Sequence, residues 1–279
     1  MFLQPKSVEA ALAMMAEPGA RLLAGGTDFF PAQGEQVIEH PVIDISRLAD
    51  LRGIATTPTH IRIGGAATWS EIVAQPLPRG FDALKAAAKE IGSIQIQNRG
   101  TIAGNLCNAS PAADSVPPLM ALEAEVELLS AAGTRRLPLG AFILGNRKTA
   151  LLPGEMVSAI LVPRNVAENA SAFGKLGARR YLVISIVMIA VAMSLENGRV
   201  GQARIAIGAC SAVAQRLAEA EAALVGCRKA EEIAGRLHAG HLAALAPIDD
   251  VRATAGYRRD AALILLRRVA AAAMLAAGN

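Results

Sequence analysis

The chain has 279 residues, of which 53% are hydrophobic and 19% are charged, and its formal net charge is +4. This length and apolar content exclude a disordered chain and suffice for two domains or for one domain with an appendage. The positive excess is small and no basic cluster alternates with aromatic residues, so nucleic-acid binding is not expected.

Metal sites and membrane segments have little support in the sequence. The cysteines Cys107, Cys210 and Cys227 form no Cys-x-x-Cys pair, and the histidines form no pattern typical of metal ligands. The N-terminus lacks the features of an export signal, and the apolar run over 181–195 is too short to span a bilayer comfortably. We therefore expect a cytoplasmic protein with no membrane span.

The first predicted unit combines one helix with two short strands. Ser7 is of the residue type that caps helices, and a helix is expected to follow it. Strands are predicted over 21–24 and 42–45. The first of these strands runs directly into a glycine loop, Ala24-Gly25-Gly26-Thr27-Asp28.

The second predicted unit contains helices, a hairpin and a long polar segment. Thr68 is expected to cap a helix. The predicted elements are a strand from 61, helices over 69–74 and 81–90, hairpin strands over 125–129 and 134–137, and a strand over 157–162. Residues from 91 onward are rich in glycine, asparagine and serine, and we expect them to form a long polar loop.

The remaining residues predict a linker and a third unit. The linker is expected over 163–171. The elements that follow are a strand over 172–176, a strand or buried helix over 184–195, a strand over 202–209, and helices over 214–225, 230–245 and 257–277.

Two glycine loops are the strongest functional signal. The loop 24–28 offers consecutive backbone N–H groups that can surround one anion, and the segment 100–105 offers a second set. No GxGxxG or GxxxxGK(S/T) motif lies at a strand–helix junction, so Rossmann and Walker sites are not indicated. Each loop alone is more often a tight turn, whereas two such loops could grip the two ends of a pyrophosphate.

The order of residues in these loops resembles that of a known family. The matching motifs are LLAGGTDFFP, IGSIQIQNRGTIAGNLCNASPAADSVPPLMAL, LPGEMV and FGKLGAR, and the resemblance covers almost the whole chain. They resemble the FAD-binding medium subunit of the molybdenum hydroxylases, the group that contains xanthine dehydrogenase, carbon monoxide dehydrogenase and aldehyde or N-heterocycle dehydrogenases.

This resemblance implies roles for individual positions in FAD binding. The loop 24–28 would hold the pyrophosphate, Asp114 would hydrogen-bond hydroxyl groups of the cofactor, and Lys175 would lie near the flavin ring. Apolar positions would surround the adenine. The implied cofactor-binding residues are Leu23, Ala24, Gly25, Gly26, Thr27, Asp28, Ile91, Gly92, Ile96, Gly100, Thr101, Gly104, Asn105, Asn108, Asp114, Val157 and Lys175. No catalytic residue is expected.

Two positions depart from the common family pattern. The family often has two glycines where this chain has Ala103-Gly104, which costs little if φ is negative there. It often has an acidic residue near Tyr181, and this tyrosine is expected at or near the flavin edge. The departure weakens any assumption about how NAD would bind.

The resemblance implies an α+β fold of the vanillyl-alcohol-oxidase (PCMH) type. Two FAD-binding subdomains, 1–55 and 56–165, would be followed by a C-terminal α/β domain over 172–279. Separate subunits would supply the [2Fe–2S] clusters and the molybdopterin, and electrons would pass through this FAD to NAD, a quinone or O₂. The alternatives are a free-standing flavin oxidase or dehydrogenase acting on a small molecule, and a flavin-free scaffold subunit.

Overall fold

The computed structural model describes residues 1–278 and combines helices with several separate sheets, which confirms the α+β class. The strands are β1 (Phe2–Leu3), β2 (Arg21–Leu23), β3 (Val42–Asp44), β4 (Ile54–Thr56), β5 (His60–Gly64), β6 (Glu125–Ser130), β7 (Gly133–Pro138), β8 (Ile143–Gly145), β9 (Lys148–Thr149), β10 (Met156–Pro163), β11 (Ala170–Leu176), β12 (Val187–Glu196), β13 (Arg199–Gly208) and β14 (Gln215–Arg216). The helices are α1 (Val8–Met14), α2 (Phe29–Gln33), α3 (Trp69–Ala74), α4 (Asp82–Glu90), α5 (Ile94–Arg99), α6 (Ile102–Asn108), α7 (Val116–Ala121), α8 (Leu139–Phe142), α9 (Arg164–Ala167), α10 (Ala218–Leu224), α11 (Ala230–Arg236) and α12 (Ala255–Gly278).

The N-terminal sheet is small and parallel, with strand order β1-β3-β2. The helix α1 begins at the predicted cap, where the Ser7 hydroxyl accepts a hydrogen bond from the Ala10 N–H at 3.2 Å. The apolar face of α1 packs with Ile43 and Leu51 in a buried cluster. This arrangement fixes the carboxyl end of β2, where the first glycine loop begins.

The second sheet is antiparallel, with strand order β4-β5-β10-β6-β7. Its centre is β10, whose residues from Met156 to Val162 are all buried. At the start of α3 the Thr68 hydroxyl and the Glu71 carboxylate form a reciprocal capping box, which confirms the predicted cap. The helices α3, α4, α6 and α7 contribute the residues that pack on this sheet.

The C-terminal sheet is antiparallel, with strand order β11-β12-β13-β14. The long helix α12 packs on β11 and β12, and α10 packs on β13. The guanidinium of Arg258 is buried and donates to the Ile186 carbonyl at 2.7 Å and to the Asp250 carboxylate at 2.8 Å. These contacts satisfy a charge that would be costly to bury without partners.

Within residues 1–278, α12 is the helix that is long and apolar enough to cross a membrane by length and composition. Core helices of soluble proteins pass the same test. Ala262, Leu266 and Ala270 on this helix are buried in the cluster that fills the C-terminal domain. The packing of α12 on its own sheet is that of a core helix.

Polar contacts and close packing join the C-terminal domain to the rest of the chain. The Ser171 hydroxyl donates to the Gly80 carbonyl at 2.8 Å and accepts from the Ala83 N–H at 2.9 Å. The helix α7 packs against β12 and β13. A buried ion pair between Asp114 and Lys175 crosses the same boundary, at 2.5 Å.

Several sequence expectations need correction. The segment from 91 is not one loop, because it forms α5, α6 and α7. The predicted linker 163–171 contains α9 and the start of β11. The predicted helix 230–245 divides into α11 and a 3-10 turn over Ala239–Leu242, and the segment that allowed a strand or a helix is the strand β12.

The proposed boundary at residue 55 falls inside β4. This strand pairs with β5, so by hydrogen bonding it belongs to the second sheet. We keep the three-part division of the chain as a proposal, with the first boundary moved to just before Ile54.

Candidate cofactor site

A cavity of about 300 Å³ lies between the first glycine loop and the helices of the second sheet. Binding pockets for small molecules commonly begin at about this size. Its lining combines the two glycine loops with apolar side chains. The lining residues are Leu22, Ala24, Gly25, Gly26, Thr27, Asp28, Phe29, Ile45, Trp69, Ile91, Ile96, Gly100, Thr101, Ala103, Gly104, Asn105, Cys107, Asn108, Met156 and Val157.

The first glycine loop presents a run of unused hydrogen-bond donors to this cavity. The consecutive backbone N–H groups from Ala24 to Asp28 have no acceptor within residues 1–278. Gly26 has φ 76°, a left-handed conformation that glycine adopts readily and that turns the chain in the middle of the run. Because backbone donors away from water are almost always paired, this run is suited to an anion with several oxygens.

The two glycine loops touch each other. A Cβ added to Gly25 would overlap the Arg99 carbonyl oxygen, which is a backbone atom and cannot swing away. A Cβ on Gly100 would lie 3.4 Å from the Thr27 hydroxyl oxygen. The absence of side chains at these glycines therefore permits the close approach that shapes the cavity.

The second loop contributes differently from the first. The N–H groups of Gly100, Gly104 and Asn105 are used internally, donating to the Ile96 carbonyl at 2.6 Å, the Thr101 hydroxyl at 3.1 Å and the Thr101 carbonyl at 3.0 Å. The prediction that both loops present free donors is thus wrong for these three groups. The second loop instead lines the cavity with its backbone and with the side-chain amide of Asn105.

The Asn105 side chain is oriented by a neighbour. Its Oδ1 accepts a hydrogen bond from the Ser115 hydroxyl at 2.6 Å. The Nδ2 group is thereby left to donate toward the cavity that Asn105 lines.

One end of the cavity is apolar. Ile91, Ile96 and Val157, all predicted around the adenine, line it together with Met156. Gly92 does not line the cavity. Its φ of 58° is left-handed, and a Cβ there would lie 2.7 Å from the Ile96 Cβ, so this glycine allows Ile96 to pack closely.

Asp28 and Asn108 meet across the cavity wall. The Asn108 Nδ2 donates to the Asp28 Oδ1 at 3.0 Å, which joins the start of α2 to the end of α6. Both residues line the cavity, as predicted from the sequence.

Leu23, Asp114 and Lys175 lie outside the cavity lining. Leu23 is a buried strand residue whose carbonyl accepts from the Ile45 N–H at 2.9 Å. The Asp114 carboxylate is held by the Lys175 ammonium and by the Ser185 hydroxyl, each at 2.5 Å. Burial raises the pKa of Asp114, and the Lys175 ammonium opposes that shift.

Cys107 also lines the cavity, although the sequence analysis assigned it no role in cofactor binding. Its side chain is exposed on the cavity wall, and desolvation by the neighbouring protein raises the pKa of the thiol. It is therefore neutral at physiological pH.

Other lining residues were also missed. Some of them flank or lie within the glycine loops and others come from elements distant in sequence, and their apolar character gave no signal beyond that of core positions. They are Leu22, Phe29, Ile45, Trp69, Ala103 and Met156.

Comparison with known protein families shows which family this chain belongs to. The family model described as the FAD binding domain in molybdopterin dehydrogenase matches residues 1–165. This chain belongs to that family. The model described as the CO dehydrogenase flavoprotein C-terminal domain matches residues 172–273.

Similar proteins share the full length of the chain. The xanthine dehydrogenase FAD-binding subunit of Escherichia coli O157:H7 is 31% identical over 278 residues, covering 96% of this chain and 94% of that protein. The carbon monoxide dehydrogenase medium chain of Hydrogenophaga pseudoflava is 30% identical over 274 residues, covering 96% and 95%. The solved structure of reconstituted CO dehydrogenase from Oligotropha carboxidovorans matches with a TM-score of 0.89 and 26% identity, covering 99% of this chain and 97% of that one.

Membership in the family makes FAD the cofactor of this chain and makes the chain a flavoprotein subunit of an oxidoreductase. The residues present fit this cofactor. The unpaired donors from Ala24 to Asp28 suit a pyrophosphate, and Gly25 and Gly100 allow the two loops that line the cavity to approach each other closely.

Proposed function

We propose that this chain is the electron-transfer subunit of a molybdenum hydroxylase and holds FAD in extended form along its main cavity. The observation that carries this proposal is the run of unpaired backbone donors from Ala24 to Asp28. These donors bind the pyrophosphate of the cofactor, and the Thr27 hydroxyl adds a further donor.

The apolar end of the cavity receives the adenine. Ile91, Ile96 and Val157 contact the ring and exclude water from it. The predicted role of Gly92 is indirect, because it allows the close approach of Ile96. Leu23 positions the glycine loop through its place in β2.

Polar side chains orient the middle of the cofactor. The free Nδ2 of Asn105 and the hydroxyl of Thr101 donate to its oxygens. Asp114 is suited to accept from ribose or ribityl hydroxyls, and Lys175 to approach the ring. Both of these contacts require their mutual ion pair to rearrange when the cofactor binds.

When bound, FAD accepts and releases electrons one or two at a time. This chain's residues bind and orient the cofactor, and no acid–base pair for substrate activation was found in its sequence. We propose a small subunit with [2Fe–2S] clusters as the electron donor and a large molybdopterin subunit as the site of hydroxylation. NAD, a quinone or O₂ would be the acceptor, and the assembly would be cytoplasmic.

Purification of the native assembly tests this function. The chain is isolated from its source without dissociating partners, the partners are identified by mass spectrometry, and iron, molybdenum and flavin are quantified. We expect two further chains, with iron and molybdenum, and one FAD for each copy of this chain.

The same purification separates the alternatives. A lone yellow protein without iron or molybdenum would contradict the proposal and favour a free-standing flavin oxidase. A colourless protein in a complex would contradict it in favour of a flavin-free scaffold.

A further inference from the structure

Arg258 lies in the first turn of α12, and its guanidinium holds two separate backbone segments of the C-terminal domain. Its Nη1 donates to the Ile186 carbonyl at 2.7 Å and to the Ala209 carbonyl at 3.1 Å, while its Nη2 donates to the Asp250 carboxylate at 2.8 Å. The side chain is only 3% exposed, so these contacts are largely shielded from water. One buried side chain therefore fixes the residue before β12 relative to the residue after β13.

The first of these segments leads to the Asp114–Lys175 ion pair. Ser185 directly precedes Ile186, and the Ser185 hydroxyl donates to the Asp114 Oδ1 at 2.5 Å. The Ile186 N–H donates at 2.7 Å to the carbonyl of the last residue of β11, the strand that carries Lys175. The carbonyl that Arg258 holds thus belongs to a residue connected to both partners of the ion pair.

The second segment holds the loop that carries Asp114. The Ala209 N–H donates to the Pro111 carbonyl at 3.0 Å, and Pro111 lies three residues before Asp114 in the loop between α6 and α7. Ala209 has φ 63°, a left-handed conformation that is unfavourable for alanine. Such a conformation persists only where neighbouring groups fix it. Here the Pro111 carbonyl fixes the N–H of Ala209 and the Arg258 guanidinium fixes its carbonyl.

Charge pairing alone does not account for the position of Arg258. The Asp250 carboxylate also accepts from the Arg252 guanidinium at 3.0 Å and from the Arg252 N–H at 2.8 Å, so it keeps partners without Arg258. The Arg258 Nε is buried and has no hydrogen-bond acceptor within residues 1–278. A buried donor without a partner lowers stability, so this placement calls for a reason besides stability.

We propose that Arg258 is a positioning residue for the cofactor, because the two carbonyls it fixes hold Asp114 toward the ribityl hydroxyls of FAD and Lys175 toward the flavin ring. The inference rests on the proposed function, which assigns those two contacts. Arg258 does not touch the cofactor cavity itself, and no residue of α12 up to Gly278 lines that cavity. Retention of the flavin end of FAD therefore depends on a side chain in the core of the C-terminal domain.

The test compares FAD with ADP, which shares the adenosine and pyrophosphate but lacks the ribityl chain and the flavin. The full-length chain is stripped of flavin and titrated with each ligand as wild type, as Arg258→Met and as the matched control Leu266→Ala. Leu266 is buried on the same helix, so its truncation loosens the same domain without removing a contact to either carbonyl. The midpoint potential of the bound flavin is measured in all three proteins.

We expect Arg258→Met to weaken FAD binding by about tenfold, the effect of losing about one hydrogen bond to the cofactor. Its ADP affinity should stay at the wild-type value, which also shows that the glycine loops are folded. Its midpoint potential should become more negative, because an ammonium near the ring favours the reduced, anionic flavin. Leu266→Ala should change neither the FAD affinity nor the potential.

A conservative variant keeps the test decisive if Arg258→Met does not fold. Arg258→Lys retains the positive charge but offers a point charge in place of the planar fork that reaches both carbonyls. It should show the same changes in FAD affinity and potential, at smaller size, with ADP affinity unchanged.

A double-variant comparison shows whether Arg258 acts through the ion pair. In the background Asp114→Asn/Lys175→Met no charged pair remains to be positioned. Adding Arg258→Met to this background should cause little further loss of FAD affinity, since residues that act through one another are not additive.

Three results would overturn the role of Arg258. Unchanged FAD affinity and potential in both Arg258 variants would show that the guanidinium has no part in the cofactor site. Equal losses of FAD and ADP affinity, or the same losses in Leu266→Ala, would show a purely structural role. A full further loss in the double-variant background would show that the effect does not pass through Asp114 and Lys175. A wild-type chain that binds neither ligand would contradict the proposed function as well, which separates the two failures.

Discussion

Single glycines decide whether the cofactor cavity can form. Gly25 is packed against the Arg99 carbonyl, so any side chain there must push the two glycine loops apart. Gly26 has a different constraint, since its φ of 76° disfavours side chains whatever the space. The loops depend on glycine for two physical reasons that the sequence pattern alone does not distinguish.

We predict that Gly25→Ala weakens FAD binding by about tenfold to hundredfold, the usual range when an extra carbon is forced into a packed site. Retained flavin is measured by absorbance after gel filtration. The control is Gly235→Ala, because Gly235 lies in the helix α11 and a Cβ there meets nothing within 4 Å. Wild-type flavin content in Gly25→Ala would contradict the assignment of this loop.

Cys107 provides a second test at the scale of one residue. Its side chain is exposed on the cavity wall and its raised pKa keeps the thiol mostly protonated at pH 8, so iodoacetamide should alkylate it slowly but measurably in the flavin-free chain. Bound FAD should slow this alkylation further by covering the cavity wall. Mass spectrometry of the labelled chain, with Cys107→Ser to assign the site, measures the rate. Rapid labelling that FAD does not affect would contradict the placement of this thiol in the cofactor site.

At the scale of the element, predictions succeeded where local chemistry determines structure. The caps at Ser7 and Thr68 and the hairpin strands near 125–129 and 134–137 were confirmed, since side-chain caps and strand pairing act over a few residues. The helices after residue 91 were not predicted, because α6 is stabilised by hydrogen bonds to backbone groups that are distant in sequence. The N–H groups of Ile102 and Ala103 donate to the carbonyls of Ala67 and Gly65. Composition cannot reveal such contacts.

An ion pair supports the strand that carries part of the cavity wall. The Arg135 guanidinium on β7 contacts the Glu155 carboxylate at 2.6 Å and 2.8 Å, directly before Met156 and Val157. This guanidinium lowers the pKa of Glu155. Because the folded-state pKa is depressed, the stabilisation is present above the unfolded value of about 4.3 and is lost as pH falls through the folded value.

We predict that Glu155→Gln lowers the melting temperature at pH 7, and that the difference from wild type shrinks as pH falls below the unfolded pKa of about 4.3 and disappears once pH is below the depressed folded-state pKa. Thermal unfolding followed by circular dichroism across this pH range measures it. Glu17→Gln, which changes an exposed carboxylate, is the control. A difference that persists unchanged at low pH would show that charge pairing is not the cause.

At the scale of the whole molecule, the family resemblance predicted the fold and the cofactor, and both were confirmed. The cavity lining was predicted where it lies in the motifs that carry the family resemblance, which include the glycine loops and the apolar positions Ile91, Ile96 and Val157. Trp69 and Met156 reach the site from α3 and β10, and such positions look like ordinary core residues in the sequence. The contact between Asp114 and Lys175 also depends on how the domains pack, which no local pattern reports.

The Asp114–Lys175 pair should stabilise the packing of the two domains. Both side chains are 7% exposed, and removing one partner leaves the other as a buried unpaired charge. We predict that Lys175→Met destabilises the flavin-free chain by about 3–5 kcal/mol, measured by urea unfolding. The double variant Asp114→Asn/Lys175→Met should recover much of this loss. No recovery in the double variant would contradict a role for charge pairing at this boundary.

The central claim is that the backbone N–H groups from Ala24 to Asp28 bind the pyrophosphate of FAD. Hydrogen–deuterium exchange of the flavin-free chain, before and after addition of FAD, tests it most directly. These amides have no internal acceptor, so they should exchange rapidly without the cofactor and slowly with it, whereas the strand β7 (Gly133–Pro138) should not change. Stoichiometric FAD binding with unchanged exchange in this loop would contradict the account.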